Sequence, residues 1–538
     1  MTDFSCDVLI VGAGPSGLIL ALCLSMSGVS VRIIDKEPVH RVGRRGAGIT
    51  PRTLEIFQTL GVLDDVLKLA HNPVPFQSYK LPEGIEPEKT WDMAPTLEPT
   101  PACPFRNSMF LGQDQVESIL RERLKPYACA VELGTELIGF EQHDDRVCAT
   151  ISVAGAEEEI NVKYLVGADG AKGIVRNQLG LSFLGQTREE DHLVMSDVII
   201  EDLDSEHVHL WTQVDATILV WPGQTETNLF SVQLAGTKLE RQKLASDPDE
   251  LRAFFRTHTG RAVRDIIWVS EYIPNIRMVD EMRKDRAFLV GDAAHVHSLF
   301  GGQGMNAGVQ DSYNLGWKLA GALLGLTSLD LLSTYSEERL PVIAEMLNKT
   351  SELQAKALES RTLNDISRWK RSKSLDQLGI NYRWSSIVVE ESRTSRYTDE
   401  VVTGDRAPDA PGLVEIEDGG GIVKRSLFQI FSYTVHTVLI FFPPAELSVV
   451  SGILRFLADF PQKGIIHPVV IYPAGFKIQG NGTDVVLCDR YGHAWRAYDV
   501  PADSVHCVVV RPDGMVGAKV AGVPGLRKYF DIIFRDRH

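Results

Sequence analysis

The sequence predicts an α/β fold in three parts: a parallel sheet covered by helices, an antiparallel sheet inserted into it, and a separate C-terminal α/β unit. The first observation is a strand, a glycine-rich turn, a helix and a second strand within residues 6–35. The second is a block at 181–285 in which apolar and polar residues alternate. The third is a series of short apolar runs after residue 401, preceded by a stretch rich in Ser, Arg and Glu. A length of 538 residues suits roughly two to four domains.

Composition narrows the function classes. The net charge of −16 disfavours nucleic acid and an anionic membrane surface as partners. Seven cysteines, with no C-x-x-C pair, predict neither a disulfide framework nor a zinc site, and they favour a reducing, cytoplasmic compartment. The uncharged run at 8–31 is long enough for a signal peptide or membrane helix, but "GAGPSG" interrupts it and an acid precedes it. We therefore interpret it as strand, turn and helix.

The first unit has the spacing of a dinucleotide-binding turn. Gly12 permits the tight turn, Gly14 lets the backbone approach a pyrophosphate, and Gly17 lets helix and strand pack closely. The helix N-terminus favours an anion. Asp35 ends the second strand, where a carboxylate can bind ribose hydroxyls, which predicts FAD or NAD rather than NADP. The predicted contacts are Gly12, Gly14, Pro15, Ser16, Gly17, Asp35 and Lys36.

Two later strands also end in glycine and an acid. "YLVGADG" ends at Asp169, with Arg176 shortly after it, and "AFLVGDAAH" carries Asp292. An NAD dehydrogenase needs one such strand, so three of them favour a single extended ligand, FAD. The stretch "GDAAHVHSLFGGQGMN" that follows has four glycines at a strand–helix junction, which suits close contact between backbone and a large planar ring.

The ordered motifs GAGPSG, GADG…VR and GDAAH…GGQGMN…QD resemble the class A flavoprotein monooxygenases, the single-component aromatic hydroxylases. Phenol hydroxylase, para-hydroxybenzoate hydroxylase and the polyketide aromatic hydroxylases belong to that family, and the resemblance covers roughly residues 4–345. It implies a Rossmann-type (glutathione reductase-like) FAD-binding domain at 1–72, 107–180 and 286–400. It also implies an inserted antiparallel-sheet substrate domain at 73–106 and 181–285, and a thioredoxin-like domain at 401–538.

The resemblance also implies roles for individual residues. Asp35 would hold the adenosine ribose and Asp292 the ribityl or pyrophosphate end, while Arg45 and Gln113 approach the flavin. The backbone of "GGQGMN" would meet the flavin ring, and the next helix would stabilise negative charge on it. The remaining implied contacts are Asp169, Gly304, Met305 and Asn306, with Phe300, Gly301 and Gly302 facing the flavin. Two alternatives stay open: Arg44 and Arg52 can be surface charges, and Asp169 can be partly structural.

The implied substrate residues are Ala47, Trp211, Trp221, Phe230, Met282, Leu299 and Phe300. Simple sheet packing is the alternative for each of the three aromatic residues at 211–230. Ala47 stands where phenol hydroxylases have an acid, and Met282 where they have a tyrosine. These departures predict a less polar or bulkier aromatic substrate, and they leave the group that deprotonates a phenol unassigned.

The activity implied is NADH- or NADPH-consuming hydroxylation of a phenolic or hydroxybenzoate-type ring by O₂, through a flavin C4a-hydroperoxide, with decarboxylation as a variant. No catalytic side chain beyond the flavin is expected. The alternatives are an epoxidase, a halogenase, for which "WVSEYIP" is a poor match, or a non-catalytic FAD-binding redox protein. His295 and His297 lack the partners of a metal site. Cys488 and Cys507 stand singly, so we interpret the C-terminal unit as structural or as the contact of a homodimer.

Overall fold

A computed structural model of the chain describes residues 4–80, 84–187, 192–213, 216–223, 228–236, 239–297, 302–359, 375–391, 401–416, 422–443, 446–460, 464–473, 485–501 and 503–534. No helix in these ranges combines the length and apolar character needed to span a bilayer.

Twelve α-helices lie within the described residues: α1 (Pro15–Met26), α2 (Pro51–Thr59), α3 (Leu63–Leu69), α4 (Gln113–Leu124), α5 (Ile174–Leu179), α6 (Arg241–Ser246), α7 (Pro248–Thr259), α8 (Gly304–Leu323), α9 (Thr334–Glu359), α10 (Leu447–Ala458), α11 (His493–Ala497) and α12 (Val523–Ile533). The strands of the same ranges are β1 (Cys6–Val11), β2 (Val31–Asp35), β3 (Gly48–Ile49), β4 (Phe76–Tyr79), β5 (Pro87–Trp91), β6 (Met109–Phe110), β7 (Val131–Leu133), β8 (Thr135–Gln142), β9 (Val147–Val153), β10 (Ala156–Gly167), β11 (Leu184–Thr187), β12 (Leu193–Ile200), β13 (Val208–Thr212), β14 (Thr217–Pro222), β15 (Leu229–Ala235), β16 (Val263–Tyr272), β17 (Asn275–Met278), β18 (Arg283–Lys284), β19 (Ala287–Leu289), β20 (His295–Val296), β21 (Val389–Glu390), β22 (Pro411–Ile416), β23 (Ile422–Ser426), β24 (His436–Phe441), β25 (Ile466–Tyr472), β26 (Val485–Asp489), β27 (His506–Val510) and β28 (Val516–Val520).

The first sheet is parallel at its centre. Its strand order is β18-β19-β10-β1-β2-β7, and the pairs from β19 to β7 are parallel. Strand β1 is almost wholly buried because helix α1 covers it and packs in turn against α8. Strands β8 and β9 form an antiparallel ribbon on β10. The carboxyl ends of β1, β10 and β19 therefore lie side by side.

The second sheet is antiparallel over most of its width. Its order is β16-β12-β15-β14-β13-β4-β5, and only β13 and β4 run parallel. One face packs against α6 and α7, and the opposite face carries a smaller apolar cluster with Phe110. Because neighbouring residues of a strand point to opposite faces, strands β4, β13 and β14 contribute to both clusters. A further small sheet has the order β11-β17-β20.

The C-terminal sheet has the order β21-β28-β27-β24-β25-β26-β22-β23. Helix α10 connects the parallel neighbours β24 and β25, while β27 and β28 are antiparallel and lead into α12. Its apolar side chains join the main core of the first sheet. Where the two units meet, the Tyr433 hydroxyl donates to the Tyr313 carbonyl at 3.0 Å, and a Cβ on Gly316 would lie 2.4 Å from that hydroxyl. The two units therefore share one continuous core.

Buried charges also cross this boundary. We name Asn314, Lys318, Glu338, Arg511 and Asp513 the junction cluster. The Glu338 carboxylate accepts from Arg511 at 2.7 and 2.9 Å and from Lys318 at 2.7 Å, and these three side chains have no exposed surface. Burial lowers the pKa of Lys318 to about 8. Burial alone would raise the pKa of Glu338, but Arg511 and Lys318 hold it well below its usual range.

Candidate functional site

The first glycine turn has space for a ligand at one position and none at the others. Gly12 has φ +103°, and a Cβ there would lie 2.3 Å from the Ala168 carbonyl oxygen. A Cβ on Gly17 would lie 2.1 Å from the Gly12 carbonyl. At Gly14, which precedes α1, a Cβ would meet nothing within 4 Å. The turn packs tightly against the protein at Gly12 and Gly17, and it is open at Gly14, in front of the N-terminus of α1. A pyrophosphate can therefore bind there.

Asp35 stands beside this turn. Its carboxylate accepts from the Ala13 and Glu37 backbone N–H groups at 2.9 and 3.0 Å, and it stays partly exposed. Lys36, the next residue, is exposed. The backbone bonds hold the Asp35 oxygens next to the open turn, where a ribose can reach them.

Asp169 lies at the first turn of α5. One oxygen accepts from the Val175 N–H at 3.0 Å, and the other is buried with no partner among the described residues. Burial raises the pKa of this carboxyl. Arg176 donates to the Ala171 and Ala293 carbonyls at 2.6 and 3.0 Å, so it ties the end of β10 to the turn after β19. Asp169 therefore holds the start of α5 with one carboxylate oxygen, and its other oxygen has no partner among the described residues.

The turn at Gly291–Ala293 packs on the start of α1. A Cβ on Gly291 or Gly308 would lie 2.4 or 2.2 Å from the Ser16 hydroxyl, so three segments meet at that side chain. Asp292 is exposed and makes no hydrogen bond or ion pair with the described residues. Its carboxylate faces outward where the strand ends converge, and Pro15 begins the helix there.

The Asp311 side chain holds the turn at residues 291–295 in place through hydrogen bonds. It accepts from the Gly291 N–H at 3.0 Å, from His295 Nε2 at 2.6 Å and from Arg339 Nε at 2.7 Å. Burial opposes ionisation, but His295 and Arg339 bring the pKa of Asp311 to about 2. His295 is thus engaged with a carboxylate. Within the described ranges, no three His, Cys, Asp or Glu residues group as metal ligands.

The first turn of α8 is fixed by its own side chains. Gly304 and Met305 open the helix, and a Cβ on Gly304 would lie 2.7 Å from His297 Nε2. The Asn306 amide donates to the Gly48 and Gly302 carbonyls at 2.8 and 2.9 Å. The Asn306 side chain is therefore committed to protein, which leaves only backbone for a ligand. Leu299, Phe300 and Gly301 lie outside the described residues.

A segment of the stretch rich in Ser, Arg and Glu, which precedes the C-terminal unit, packs on this turn. The Gln377 amide oxygen accepts from Gln310 at 2.8 Å and from Thr50 at 3.0 Å, and the Gln303 amide donates to the Leu375 carbonyl at 3.0 Å. Gln377 has φ +62° and is buried. Sequence reasoning missed it, because an isolated glutamine in a polar stretch carries no recognisable signal.

In the loop at residues 43–47, which we call the arginine loop, the structure contradicts one alternative that the sequence left open. Arg44 and Arg52 are buried, not surface charges. The Arg44 N–H donates to Asp197 at 2.8 Å, its guanidinium donates to the Pro222 carbonyl, and burial lowers its pKa. Arg45 is exposed with φ +41°, beside Gln113, whose N–H donates to the Arg44 carbonyl at 3.0 Å. The backbone thus turns Arg45 outward while Arg44 anchors the loop to the second sheet.

A cavity of about 230 Å³ lies between this loop and the second sheet. Gly302, from the stretch before α8, and Leu375 also reach it. Most of the wall is apolar, and its side chains include Ala47, His71, Phe76, Phe110, Leu219 and Trp221. Among the described residues of the wall, the charged groups are Arg44, Arg45 and Asp197. Asp197 is occupied by the Arg44 and Trp268 N–H groups and by the Ser231 hydroxyl.

Three of the substrate residues named from sequence lie elsewhere. Trp211 is fully buried on the opposite face of the sheet, where it stacks on Tyr79 at 4.5 Å. Phe230 belongs to that same cluster, since its neighbour Ser231 pairs with Trp221 and points to the cavity. Met282 is fully buried in the core of the first sheet. Of the substrate residues predicted from the sequence, Ala47 and Trp221 line the cavity.

Comparison with known proteins gives matches in both sequence and structure. A family model described as FAD binding domain matches residues 5–350. A flavin-dependent monooxygenase of Mycobacteroides abscessus is 36% identical over 443 residues, covering 81% of this chain and 88% of that protein. Pentachlorophenol 4-monooxygenase of Sphingobium chlorophenolicum is 29% identical over 530 residues, covering 95% and 93%.

Solved structures share the fold along the whole length. The flavin-dependent monooxygenase PieE, in complex with FAD and substrate, has a TM-score of 0.79 at 22% identity and covers 99% of both chains. Aklavinone-11 hydroxylase, with FAD and aklavinone, has a TM-score of 0.77 at 23% identity. The mixed α/β fold predicted from the sequence is confirmed.

Proposed function

The chain belongs to the FAD binding domain family of flavin-dependent monooxygenases, and from that premise we propose that it hydroxylates a phenolic or hydroxybenzoate-type ring with NADH or NADPH and O₂. The observation that carries the proposal is the cavity between the arginine loop, Gly302 and the second sheet. It is lined by apolar and aromatic side chains and opens beside the first turn of α8. An aromatic ring held there would lie next to the proposed flavin position.

The residues that would hold FAD lie along the edge of the first sheet where the carboxyl ends of β1, β10 and β19 meet. The turn from Gly12 to Gly17 receives the pyrophosphate, Asp35 the adenosine ribose, and Asp292 the ribityl end. Bound FAD supplies the redox chemistry: it accepts electrons from NAD(P)H and activates oxygen. The first N–H groups of α8 have no side-chain cap, so they can stabilise negative charge that develops on the neighbouring ring.

The protein's own part is positioning and exclusion of water. The apolar wall, with Phe110 and Leu219, displaces water from the reacting ring. Arg44 and Arg45 add positive charge, while the Asp197 carboxylate is occupied by protein donors. An excess of positive charge favours a ring that carries an ionisable hydroxyl or a carboxylate.

The domain organisation predicted from sequence is part of the proposal. Strands β4 and β5 join the second sheet from outside the 193–272 stretch, which supports an inserted domain in two pieces. In the C-terminal unit, the order β25-β24-β27-β28, with β24 and β25 parallel, supports a thioredoxin-like arrangement. Cys488 and Cys507 belong to different strands and form no C-x-x-C motif, so we assign this unit a structural role or the contact of a homodimer.

The test is oxidation of NADH and NADPH by the FAD-loaded protein with a panel of substituted phenols and hydroxybenzoates, with mass spectrometry of the products. A product that gains one oxygen atom supports hydroxylation, and one that also loses carbon dioxide identifies the decarboxylating variant. If no aromatic compound accelerates oxidation and no oxygen is incorporated, the proposal fails and a non-catalytic FAD-binding role replaces it.

A further inference from the structure

One wall of the cavity is a row of aromatic rings in contact. His71 stacks on Phe110 with centroids 5.9 Å apart, Phe110 stacks on Trp221 at 5.6 Å, and Trp221 meets Phe76 edge-on at 5.5 Å. Two backbone hydrogen bonds join His71 to Phe110, at 3.0 and 2.9 Å, and Phe110 also pairs with Gly48. The wall is therefore held in place by backbone pairing as well as by packing.

Two polar atoms on this wall have no partner. His71 Nε2 and Trp221 Nε1 are buried and make no hydrogen bond to any residue that the structure describes. Buried polar atoms in folded proteins nearly always have a partner. Both rings line the cavity, and a rotation that turns either nitrogen towards it, of the kind common when a site is filled, would let a ligand supply the missing partner. Trp91 Nε1 also lacks a described partner, but Trp91 does not line the cavity.

The two atoms have opposite hydrogen-bonding roles. His71 Nδ1 lies 3.0 Å from the Asn72 carbonyl oxygen, which can only accept, so Nδ1 carries the proton and Nε2 is an acceptor. Burial, with the positive charge of Arg44, lowers the pKa of His71 and favours this neutral form. The indole Nε1 of Trp221 can only donate. The wall thus offers one acceptor and one donor.

We propose that His71 and Trp221 determine the substrate specificity of this cavity: His71 Nε2 accepts from a free hydroxyl of the aromatic ligand, and Trp221 Nε1 donates to a carbonyl oxygen of the same ligand. The inference rests on the proposed function and narrows its substrate class to hydroxylated aromatic ketones. It also provides a hydrogen-bond acceptor for the ring hydroxyl, a role that neither Ala47 nor Met282 can fill.

The experiment uses the FAD-loaded full chain and three bicyclic probes measured by isothermal titration calorimetry. These are 6-hydroxy-1-tetralone, 1-tetralone, which lacks the hydroxyl, and 5,6,7,8-tetrahydro-2-naphthol, which lacks the carbonyl. We expect the protein to bind the complete probe about tenfold more tightly than either of the others. His71→Phe should abolish only the preference over 1-tetralone, and Trp221→Phe only the preference over the naphthol.

Two further variants separate recognition from shape. His71→Gln places an amide oxygen near the Nε2 position and should restore much of the hydroxyl preference. Trp91→Phe removes an unpartnered indole that stacks on Phe76 at 5.6 Å but does not line the cavity, and it should leave both preferences unchanged. Thermal midpoints and FAD content of all variants check that each is folded.

Three results would overturn the proposal. One is a wild-type protein that binds none of the probes or does not distinguish among them. Another is retention of the hydroxyl preference by His71→Phe, and a third is equal weakening of all three probes by both ring replacements. Failure of the proposed function is distinguishable, because it would appear as an absence of NAD(P)H oxidation with every aromatic compound tested on the unaltered protein.

Discussion

Replacing Glu338 by Ala should destabilise the whole molecule rather than one unit of it. Glu338 is the carboxylate at the centre of the junction cluster, between helix α8 and the C-terminal sheet. The substitution removes the negative charge that Lys318 and Arg511 share. Arg511 then stays charged in an interior from which it cannot reach water, and Lys318, whose pKa burial already lowers, loses its proton there.

The magnitude follows from burial. Lys318, Glu338 and Arg511 have no exposed side-chain surface, and the carboxylate also accepts from Asn314 and Ser385, both at 2.6 Å. Removing one partner of a buried ion pair costs about 3–5 kcal/mol, because an uncompensated charge remains. Arg511 keeps Asp513 as a partner, so the lower half of that range, about 3–4 kcal/mol, is the expected loss in free energy of unfolding.

The assay is urea denaturation of the FAD-loaded protein, followed in parallel by far-UV circular dichroism and by flavin fluorescence. The matched control is Glu122→Ala. Glu122 pairs with Lys125 at 2.7 Å, but both side chains are about two-thirds exposed, so that change should cost less than about 1 kcal/mol. In the Glu338→Ala variant both signals should shift to lower urea together.

The reasoning would be refuted if Glu338→Ala were as stable as the Glu122→Ala control. It would equally be refuted if circular dichroism shifted while flavin release kept its original midpoint, because the cluster would then not connect the two units.

Three other expectations concern smaller changes. Gly14→Ala should weaken FAD binding at least about tenfold in titrations of the apoprotein. Apoprotein stability should be unchanged, because the added methyl enters only the open side of the turn. Unchanged FAD affinity would contradict the proposed pyrophosphate position. Burial lowers the pKa of His436 to about 3, so between pH of about 6.5 and 3 the unfolded chain binds a proton at this side chain and the native protein does not. The free energy of unfolding therefore falls as pH drops through that range. The stability of the wild type relative to His436→Phe should therefore decrease by about 2 kcal/mol between pH 7 and 5 in denaturation curves, and parallel curves would disprove this origin. Arg44→Ala should lower the free energy of unfolding by about 2 kcal/mol, whereas Arg45→Ala should leave it within about 0.5 kcal/mol; equal losses would mean that the two arginines are not divided between anchoring and exposure.

The cofactor site could be predicted from the sequence because the motifs that mark it are local. Gly12, Gly14 and Gly17 lie within six residues of chain, and each spacing corresponds to one backbone requirement of a turn. Strand β1 and helix α1 follow from apolar runs that end at that turn. The convergence of the later strand ends could be anticipated as well, since parallel strands present their carboxyl ends at one edge of a sheet.

The substrate side depended on register, which alternation alone does not determine. Trp221 and Phe230 sit in strands with the same pattern, yet the pairing of Trp221 with Ser231 places Phe230 on the other face. A shift of one residue would have exchanged their roles. Arg44 and Arg45 show the same difficulty in a loop, where a single positive φ decides which side chain is buried.

The polar contacts around α8 come from distant parts of the chain. Gln377 reaches Thr50 across 327 positions of sequence, and no local pattern marks either residue. His71 was unremarkable in sequence for the same reason: its importance comes from what surrounds it in the cavity.

The shared interior of the two units bears on how such proteins can be recombined. A chimaera joined near residue 400 would combine Tyr433, Arg511 and Asp513 of one parent with the α8 and α9 surface of another. Unless Asn314, Lys318 and Glu338 have matching counterparts, such a graft would place unmatched charges and an unfilled gap in a dry interface. The practical unit of exchange is therefore the C-terminal sheet together with the helix face that it covers, and a donor sequence can be screened for that match before any gene is built.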